Sequence, residues 1–394
     1  MRQPVERVLV LDAHLRHALA IVRSLGRRGV HVVMGSPHRR FPAYYSRYGM
    51  GAELIDHDPS PIELLRLVDK HQIEVVIAAG LPGNRCLCQH RGQFEGRVKA
   101  AFNDLEVFDC LSNKSATGLL AKDLGVRCPM TRQLRAYEEI SDLVDELSFP
   151  AVFKSPVDQG TVRYARDIED LQRLFTLFGD EHPDLLDRGL YPIVQEYIAG
   201  DGYGFYGLAA EGELRAYFMH RRLHEVPPSG GPSAMAMSYR DAALKDLGER
   251  FFAATHWNGV AMVEFKRSRR DGQFYLIEVN PKFWGSLDLS IAAGVDFPFL
   301  LYQMLVGEPL DVEPGVYQDD TVFRWLTMDL AYAVAARRIR PYLRSFADDR
   351  ITNDFDRSDP LPMGALFASG IWRASEPSRK QVRSLIVSAR CPAQ

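Results

Sequence analysis

Two acidic residues and one amide lie on a predicted β-hairpin in the second half of the chain. Glu264 belongs to one apolar, strand-like run, and Glu278 and Asn280 belong to the next. The dipeptide Asp271-Gly272 between the runs is typical of a hairpin turn. Because side chains alternate along a strand, Glu278 and Asn280 share one face of the sheet.

The length of the turn decides whether Glu264 joins them. A turn over residues 270–272 with a left-handed Gly272 places Glu264 opposite Glu278. A turn of Asp271-Gly272 alone places Glu264 opposite Val279, on the other face. The first arrangement gathers two carboxylates and an amide oxygen, hard ligands of the kind that suit Mg²⁺ bridging ATP phosphates. The alternative is three solvated polar positions on an ordinary hairpin.

Two lysines stand where a bound anion would be stabilised. Lys154 ends an apolar strand and enters a loop that contains Gly160, so its ammonium could reach phosphate oxygens covered by the loop backbone. Lys114 lies at the start of a predicted helix for which Ser112 is the expected cap. A cation is unfavourable at a helix N-terminus, which hints at a bound anion. Each lysine alone is equally consistent with a solvent-facing side chain.

A strand and turn over residues 195–202 could bind a nucleoside. Free backbone groups at a strand edge suit adenine, and an acid just after the strand suits ribose hydroxyls. Asp201 occupies such a position. A plain strand with an exposed Glu196 is the simpler interpretation when this segment is taken by itself.

The first elements of the chain predict a parallel α/β sheet. Apolar strand-like runs at residues 8–11, 30–34 and 75–79 alternate with amphipathic helical patterns at 17–28 and 62–71. The first strand-to-helix turn reads Asp12-Ala-His-Leu-Arg-His17 and lacks G-x-G-x-x-G. This part is therefore expected to be Rossmann-like without a dinucleotide-binding fingerprint. Near the C-terminus, residues 323–338 are expected to form a helix.

Composition excludes several protein classes. The 394 residues exceed what one hydrophobic core usually serves, so two or three packed units are expected. The 48 Lys and Arg against 51 Asp and Glu argue against a nucleic-acid-binding protein. The five Cys show neither disulfide-framework nor zinc-site spacing, which indicates free thiols. No apolar stretch or signal-like segment predicts a membrane association, and a cytoplasmic protein is expected.

Taken as a set, these segments resemble the ATP-grasp superfamily, in its carbamoyl-phosphate-synthase-like, carboxylate–amine ligase branch. The matching segments include Asn113-Lys114, the strand that ends at Lys154, residues 195–198, 262–265 and 278–281. The resemblance covers about residues 5–310. It implies a Rossmann-like domain at 1–111, an ATP-grasp domain at 112–312 made of two α+β subdomains (112–190 and 191–312), and a C-terminal extension at 313–394.

The resemblance also implies residue roles. ATP phosphates would be bound by Lys114 and Lys154, with Gly160 in the phosphate loop. Adenine would be held by backbone groups of Glu196 and Ile198, and ribose by Asp201. The ligands of Mg²⁺ would be Glu264, Glu278 and Asn280. One departure stands out, because the family often has Asn-Pro-Arg where this chain has Asn280-Pro281-Lys282. Lysine keeps the charge but loses the planar fork of arginine.

The implied activity is an ATP- and Mg²⁺-dependent ligase that activates a carboxylate as an acyl phosphate and couples it to an amine. Arg222, preferred over Arg221, and Lys282 are the expected catalytic residues at the transferred phosphate. The expected partners are a small-molecule carboxylate and an amine, with no nucleic acid and no membrane, and a homodimer is the default assembly. The alternatives are a bicarbonate-activating carboxylase, a carbamoyl-phosphate-type ligase, and a non-catalytic ATP-binding regulatory protein.

Overall fold

A computed structural model describes residues 6–143, 145–157, 162–228 and 230–375 of the chain. Gly160, predicted in the phosphate loop, lies outside the described residues. Up to residue 112 the elements are β1 (Arg7–Leu11), α1 (Ala18–Arg27), β2 (His31–Ser36), β3 (Gly49–Leu54), α2 (Pro61–His71), β4 (Val75–Ala78), α3 (Leu81–Gln89), α4 (Arg91–Phe94) and α5 (Leu105–Ser112).

The middle of the chain begins with a helix and continues through short strands. Its elements are α6 (Lys114–Asp123), β5 (Thr131–Gln133), β6 (Ala151–Lys154), β7 (Val162–Ala165), α7 (Ile168–Glu181), α8 (Pro183–Asp187) and β8 (Ile193–Glu196). Longer strands and helices follow: β9 (Gly200–Ala210), β10 (Glu213–Glu225), β11 (Ser233–Ser238), α9 (Ala242–Ala254), β12 (Gly259–Ser268), β13 (Phe274–Asn280), α10 (Leu287–Ala292) and α11 (Phe297–Val306).

The remaining described elements are β14 (Val322–Arg324), α12 (Leu326–Ala335), α13 (Ile339–Arg344), β15 (Ile351–Asn353) and α14 (Leu361–Ser375). Short 3-10 helices cover Pro42–Tyr45, Tyr137–Leu143 and Ser345–Ala347. The helix predicted over 323–338 is wrong at its start, where Val322–Arg324 is a strand that pairs with β11. A strand edge that needs a partner overrides the local helical pattern there.

The chain divides into two compact units. Of the described residues, those within 1–108, 205–262 and 281–394 form unit 1, and those within 109–204 and 263–280 form unit 2. Strands β9 and β12 each run from one unit into the other. Within the described residues, no helix is both long and apolar enough to cross a membrane.

Unit 1 begins with the predicted parallel sheet, whose strands have the order β3-β2-β1-β4. The buried runs of β1 and β4 explain the continuous apolar sequence, because both faces of a parallel sheet are covered. Strands β10, β11, β14 and β15 follow one another in a second sheet of this unit. Residues after 313, predicted as a separate extension, thus supply two strands to it, and Trp325 beside β14 is fully buried.

The first β–α turn of unit 1 explains why no glycine-rich fingerprint is present. Asp12 has a left-handed φ of 56° and is buried. Its Oδ2 accepts hydrogen bonds from the backbone N–H groups of Gly80 (3.0 Å) and Gly83 (3.1 Å), at the start of α3. Burial raises the pKa of Asp12 to about 6, although these bonds and the charge of Lys282 lower it. The carboxylate therefore occupies the helix N-terminus that could otherwise bind a phosphate.

Unit 2 is built around the antiparallel sheet β5-β8-β6-β7. Helix α7 closes one face of it through Leu171, Leu174 and Phe178, which pack with Phe153 of β6 in one core cluster. Helix α6 packs against β13. The N-terminus of α6 is capped by Asn113, whose side chain accepts from the N–H groups of residues 115 and 116, so the predicted cap at Ser112 is off by one residue.

Candidate functional site

Unit 2 brings together a lysine from α6 and a carboxylate from β13. The Nζ of Lys114 lies 3.2 Å from Oε2 of Glu278, and both side chains are largely buried. The Nδ2 of Asn280 donates to Oε1 of the same carboxylate at 2.8 Å. Burial alone would raise the pKa of Glu278, but the charges of Lys114 and Lys154 and the bond from Asn280 lower it to about 2. Glu278 is therefore an anion at any physiological pH.

Lys154 is the second cation of this cluster. It ends β6, and only 4% of its surface is exposed. Burial and the charge of Lys114 lower the pKa of Lys154 to about 8, whereas the carboxylates of Glu278 and Glu264 raise it. A buried ammonium with a pKa near 8 is an incompletely compensated charge, and a bound anion would stabilise its protonated form.

Three backbone features hold this cluster in place. The N–H of Lys114 donates to the carbonyl of Pro156 at 3.0 Å, which ties the start of α6 to the loop after β6. The N–H of Leu276 in β13 donates to the carbonyl of Arg127 at 2.8 Å. Strand β6 pairs with β7 and β8 on both sides, so Lys154 cannot move away without breaking a ladder.

The hairpin that carries the acidic residues has a longer turn than either predicted form. Gly272 is left-handed, with φ of 70°, as the predicted turn over residues 270–272 required. The N–H of Ser268 donates to the carbonyl of Gln273, and the N–H of Gly272 donates to the carbonyl of Ser268, both at 2.9 Å. Four residues, 269–272, therefore lie between Ser268 and Gln273, the bonded pair that closes the turn. Glu264 lies between the fully buried Val263 and Phe265 and is close enough to Lys154 to raise its pKa.

These side chains fit a divalent metal of the Mg²⁺ type by their chemistry. The carboxylates of Glu264 and Glu278 and the amide of Asn280 are hard oxygen donors, and all three are partly buried. Two cations, Lys114 and Lys154, lie beside them and could hold the phosphates that usually complete a Mg²⁺ coordination shell.

The predicted nucleoside-binding segment is also in unit 2. The N–H of Glu196 donates to the carbonyl of Met130 at 2.8 Å. The Oε2 atom of Glu196 accepts from the N–H of Met130 at 3.4 Å. The side chain of Ile198 is buried, and its carbonyl accepts from Nζ of Lys266 at 3.3 Å. Asp201, expected at ribose, accepts from the exposed Arg269 at 3.3 Å.

Lys266 is a candidate residue that the sequence analysis missed. Besides its bond to the Ile198 carbonyl, its Nζ lies 5.1 Å from the ring centroid of Tyr197, and its charge lowers the pKa of Lys154. The signal was present, because Lys266 follows Glu264 by two positions and alternation places both on one face.

Replacing Lys266 by Met tests its part in shaping this segment. A charged hydrogen bond to a carbonyl contributes about 1.5–3 kcal/mol, so the KM for ATP is expected to rise about tenfold or more, with a smaller change in kcat. Arg267→Met is the matched control, since this exposed neighbour points to the other face and donates to Gly272. Equal KM values for the two variants would remove Lys266 from the site.

The two predicted catalytic residues both lie in unit 1. The Nη1 of Arg222 on β10 is 3.1 Å from Oε1 of Glu225 and donates to the carbonyl of Gly231 at 3.1 Å. Lys282 follows β13 and is partly buried, and its charge acts on Asp12. One cluster of predicted site residues thus lies in unit 2 and consists of Lys114, Lys154, Glu264, Glu278 and Asn280. The other two, Arg222 and Lys282, are placed by separate elements of unit 1.

Comparison with known proteins gives consistent matches. Residues 192–328 match a protein family described as "ATP-grasp in the biosynthetic pathway with Ter operon". The chain is 24% identical over 231 residues to the carbamoyl phosphate synthase large chain of Ralstonia nicotianae, which covers 54% of this chain but only 20% of that protein. It is 23% identical over 314 residues to the D-aspartate ligase of Enterococcus faecium, covering 72% of this chain and 73% of that one.

A solved structure shares the fold. The biotin carboxylase domain of Hydrogenobacter thermophilus 2-oxoglutarate carboxylase, solved with MgADP and bicarbonate, has a TM-score of 0.63 with this chain. Sequence identity is 16%, and the match covers 82% of this chain and 74% of that one. The family match over residues 192–328, the relatives and the fold all agree with the resemblance to the ATP-grasp superfamily found in the sequence.

Proposed function

We propose that this protein is an ATP-dependent ligase that activates a substrate carboxylate as an acyl phosphate and couples it to an amine. The observation that carries the proposal is the cluster in unit 2, where Lys114 and the buried Lys154 lie beside Glu278 and Asn280. Paired cations beside hard oxygen donors suit a metal-bound polyphosphate. The match to a D-aspartate ligase over 73% of its length favours a ligase that uses an amino acid.

In this proposal the side chains of unit 2 bind and orient ATP. Lys114 and Lys154 hold phosphate oxygens, and Glu264, Glu278 and Asn280 hold Mg²⁺. When bound, Mg²⁺ supplies positive charge that stabilises the phosphate oxygens. Binding of ATP would raise the depressed pKa of Lys154 and keep this residue charged, because its ammonium would then face phosphate oxygens.

The chemistry needs no side-chain nucleophile. A carboxylate oxygen of the substrate attacks the γ-phosphorus, and the bond to the ADP oxygen breaks. The amine nitrogen then attacks the acyl carbon, the C–O bond to phosphate breaks, and the nitrogen loses a proton to solvent or to a nearby base. The charges of Lys114 and Lys154 stabilise the phosphate oxygens in the first step.

The proposed roles of Arg222 and Lys282 at the transferred phosphate rest on the resemblance. Arg222 is partly buried and oriented by Glu225 and the Gly231 carbonyl, so its guanidinium is held in one position. Lys282 offers a compact charge, which suffices for a phosphate whose negative charge is spread over three oxygens.

Substitution of Lys282 separates a catalytic role from a supporting one. Lys282→Arg is expected to keep substantial activity, whereas Lys282→Met is expected to lower kcat by about a hundredfold, as loss of one electrostatic donor commonly does. Lys282 also lowers the pKa of Asp12, so a purely supporting role predicts lower thermal stability of Lys282→Met with little change in kcat. Steady-state kinetics and thermal melting of both variants distinguish these roles.

A screen of carboxylate and amine pairs for ADP and phosphate release tests the proposed activity directly. Amino acids are to be tried as both substrates, with bicarbonate among the carboxylates and ammonia among the amines. ADP formation that requires both a carboxylate and an amine supports the ligase. Turnover with bicarbonate alone would favour a carboxylase or carbamoyl-phosphate-type reaction, and ATP binding with no substrate-dependent ADP release would contradict the proposal.

A further inference from the structure

Three histidines meet at the carboxyl edge of the parallel sheet in unit 1. His14 follows β1, His38 follows β2 and His57 follows β3. These strands are neighbours in the order β3-β2-β1 and all run in the same direction. Segments that leave the carboxyl ends of parallel strands converge at one edge, where open α/β sheets commonly bind ligands. None of the three belongs to the cluster in unit 2.

The three imidazoles lie within reach of one ion. One ligand atom from each residue lies within 4.8 Å of the other two. The ring centroids are 5.1 Å apart for His14 and His38, 5.8 Å for His14 and His57, and 6.3 Å for His38 and His57. The Nδ1 of His14 is buried and has no hydrogen-bond partner among the described residues.

The surroundings distinguish this cluster from a chance group of surface histidines. His14 is only partly exposed, and its ring meets the rings of both His38 and His57 edge-on. The carboxylate of Asp12, which interacts electrostatically with His57, already accepts two backbone N–H groups at the start of α3. The cluster therefore offers nitrogen ligands, which select Zn²⁺ and similar transition metals over Mg²⁺.

We propose that His14, His38 and His57 form a binding site for a divalent transition metal ion such as Zn²⁺, with a fourth position open to water or an anionic ligand. Ring nitrogens on a tetrahedral Zn²⁺ lie about 3.3 Å apart, given Zn–N distances of about 2.0–2.1 Å. Metal binding at this site would require the observed spacing of up to 4.8 Å to shorten to that value through rotation of the two exposed rings, His38 and His57. Three protein ligands and one open position are typical of metal sites that bind an exchangeable ligand.

Titration of the chelator-treated full-length chain with Co²⁺ alone, without nucleotide, tests this site. One equivalent is expected to bind and to produce the visible absorption of four-coordinate Co²⁺, and Zn²⁺ is expected to displace it while Mg²⁺ is not. His38→Ala and His57→Ala, both at exposed positions, are each expected to weaken binding about a hundredfold, since each removes one direct ligand. His31→Ala at the start of β2 is the matched control and is expected to bind as the wild type does.

Several outcomes would overturn the site. Absence of stoichiometric Co²⁺ binding to the wild type would do so, as would unchanged affinity in His38→Ala and His57→Ala. Equal losses in the His31→Ala control would show that histidines elsewhere bind the ion. The test does not depend on ATP turnover, so failure of the proposed ligase activity and failure of this metal site are separate results.

Discussion

Replacing Glu278 by Gln is expected to lower kcat/KM for ATP by about a thousandfold, the upper range for removal of one preorganised electrostatic group. The substitution keeps the size of the side chain and removes the charge that faces Lys114 at 3.2 Å. If Glu278 holds Mg²⁺, the Mg²⁺ concentration for half-maximal activity is also expected to rise. Steady-state kinetics at varied ATP and Mg²⁺ measures both effects.

A matched control and a double variant separate metal binding from simple charge balance. Glu181 is another ion-paired carboxylate of unit 2, bonded to Arg163 away from the cluster, and Glu181→Gln is expected to keep wild-type kinetics. If Glu278 serves only as the counter-charge of Lys114, the double variant Lys114→Met/Glu278→Gln should recover much of the lost activity. Recovery of that kind would contradict the metal-ligand assignment.

Affinity for ADP is expected to fall about tenfold between pH 7 and pH 9, because Lys154 with a pKa of about 8 loses its charge over this interval. The affinity falls as the pH rises because the charged form of Lys154, which binds phosphate, predominates only below about pH 8. In Lys154→Met, affinity at pH 7 is expected to be low already and to change little with pH. Calorimetric titration with ADP at several pH values measures this dependence.

Two further measurements test whether Lys154 controls the pH dependence of ADP binding. Lys122→Met, at the exposed end of α6, is expected to preserve both the affinity and its pH dependence. The free energy of unfolding of Lys154→Met at pH 7 is expected to stay the same or rise, because an incompletely compensated buried charge is removed. A pH dependence that persists unchanged in Lys154→Met would show that another group controls ADP binding.

Local patterns in the sequence were enough to place much of the chain. Continuous apolar runs predicted the parallel strands β1, β2 and β4, and the structure has them within about two residues of the expected bounds. Period-two alternation put Glu278 and Asn280 on one face, and their side chains are in hydrogen-bond contact at 2.8 Å. These features depend only on neighbours along the chain, so they can be predicted without knowledge of the tertiary structure.

Features that depend on strand pairing were harder to predict from the sequence. The turn of the acidic hairpin contains four residues between the bonded pair Ser268 and Gln273, and the N–H of Gly272 donates to the carbonyl of Ser268. The stretch before α12 pairs as a strand with β11 although its pattern is helical. At β14, pairing with the distant strand β11 outweighs a small local preference.

The sequence by itself determined the alternation of helices with the strands β1, β2 and β4, the shared face of Glu278 and Asn280 on β13, and the candidate ligand and lysine residues. Only the tertiary structure decided that Lys114 pairs with Glu278 and that Lys154 is buried beside them. It also decided that three histidines from successive strand ends share one edge. The physical reason is that propensity and alternation act over a few residues, whereas the order of strands in a sheet and the docking of α6 on β13 arise from burial across the whole chain.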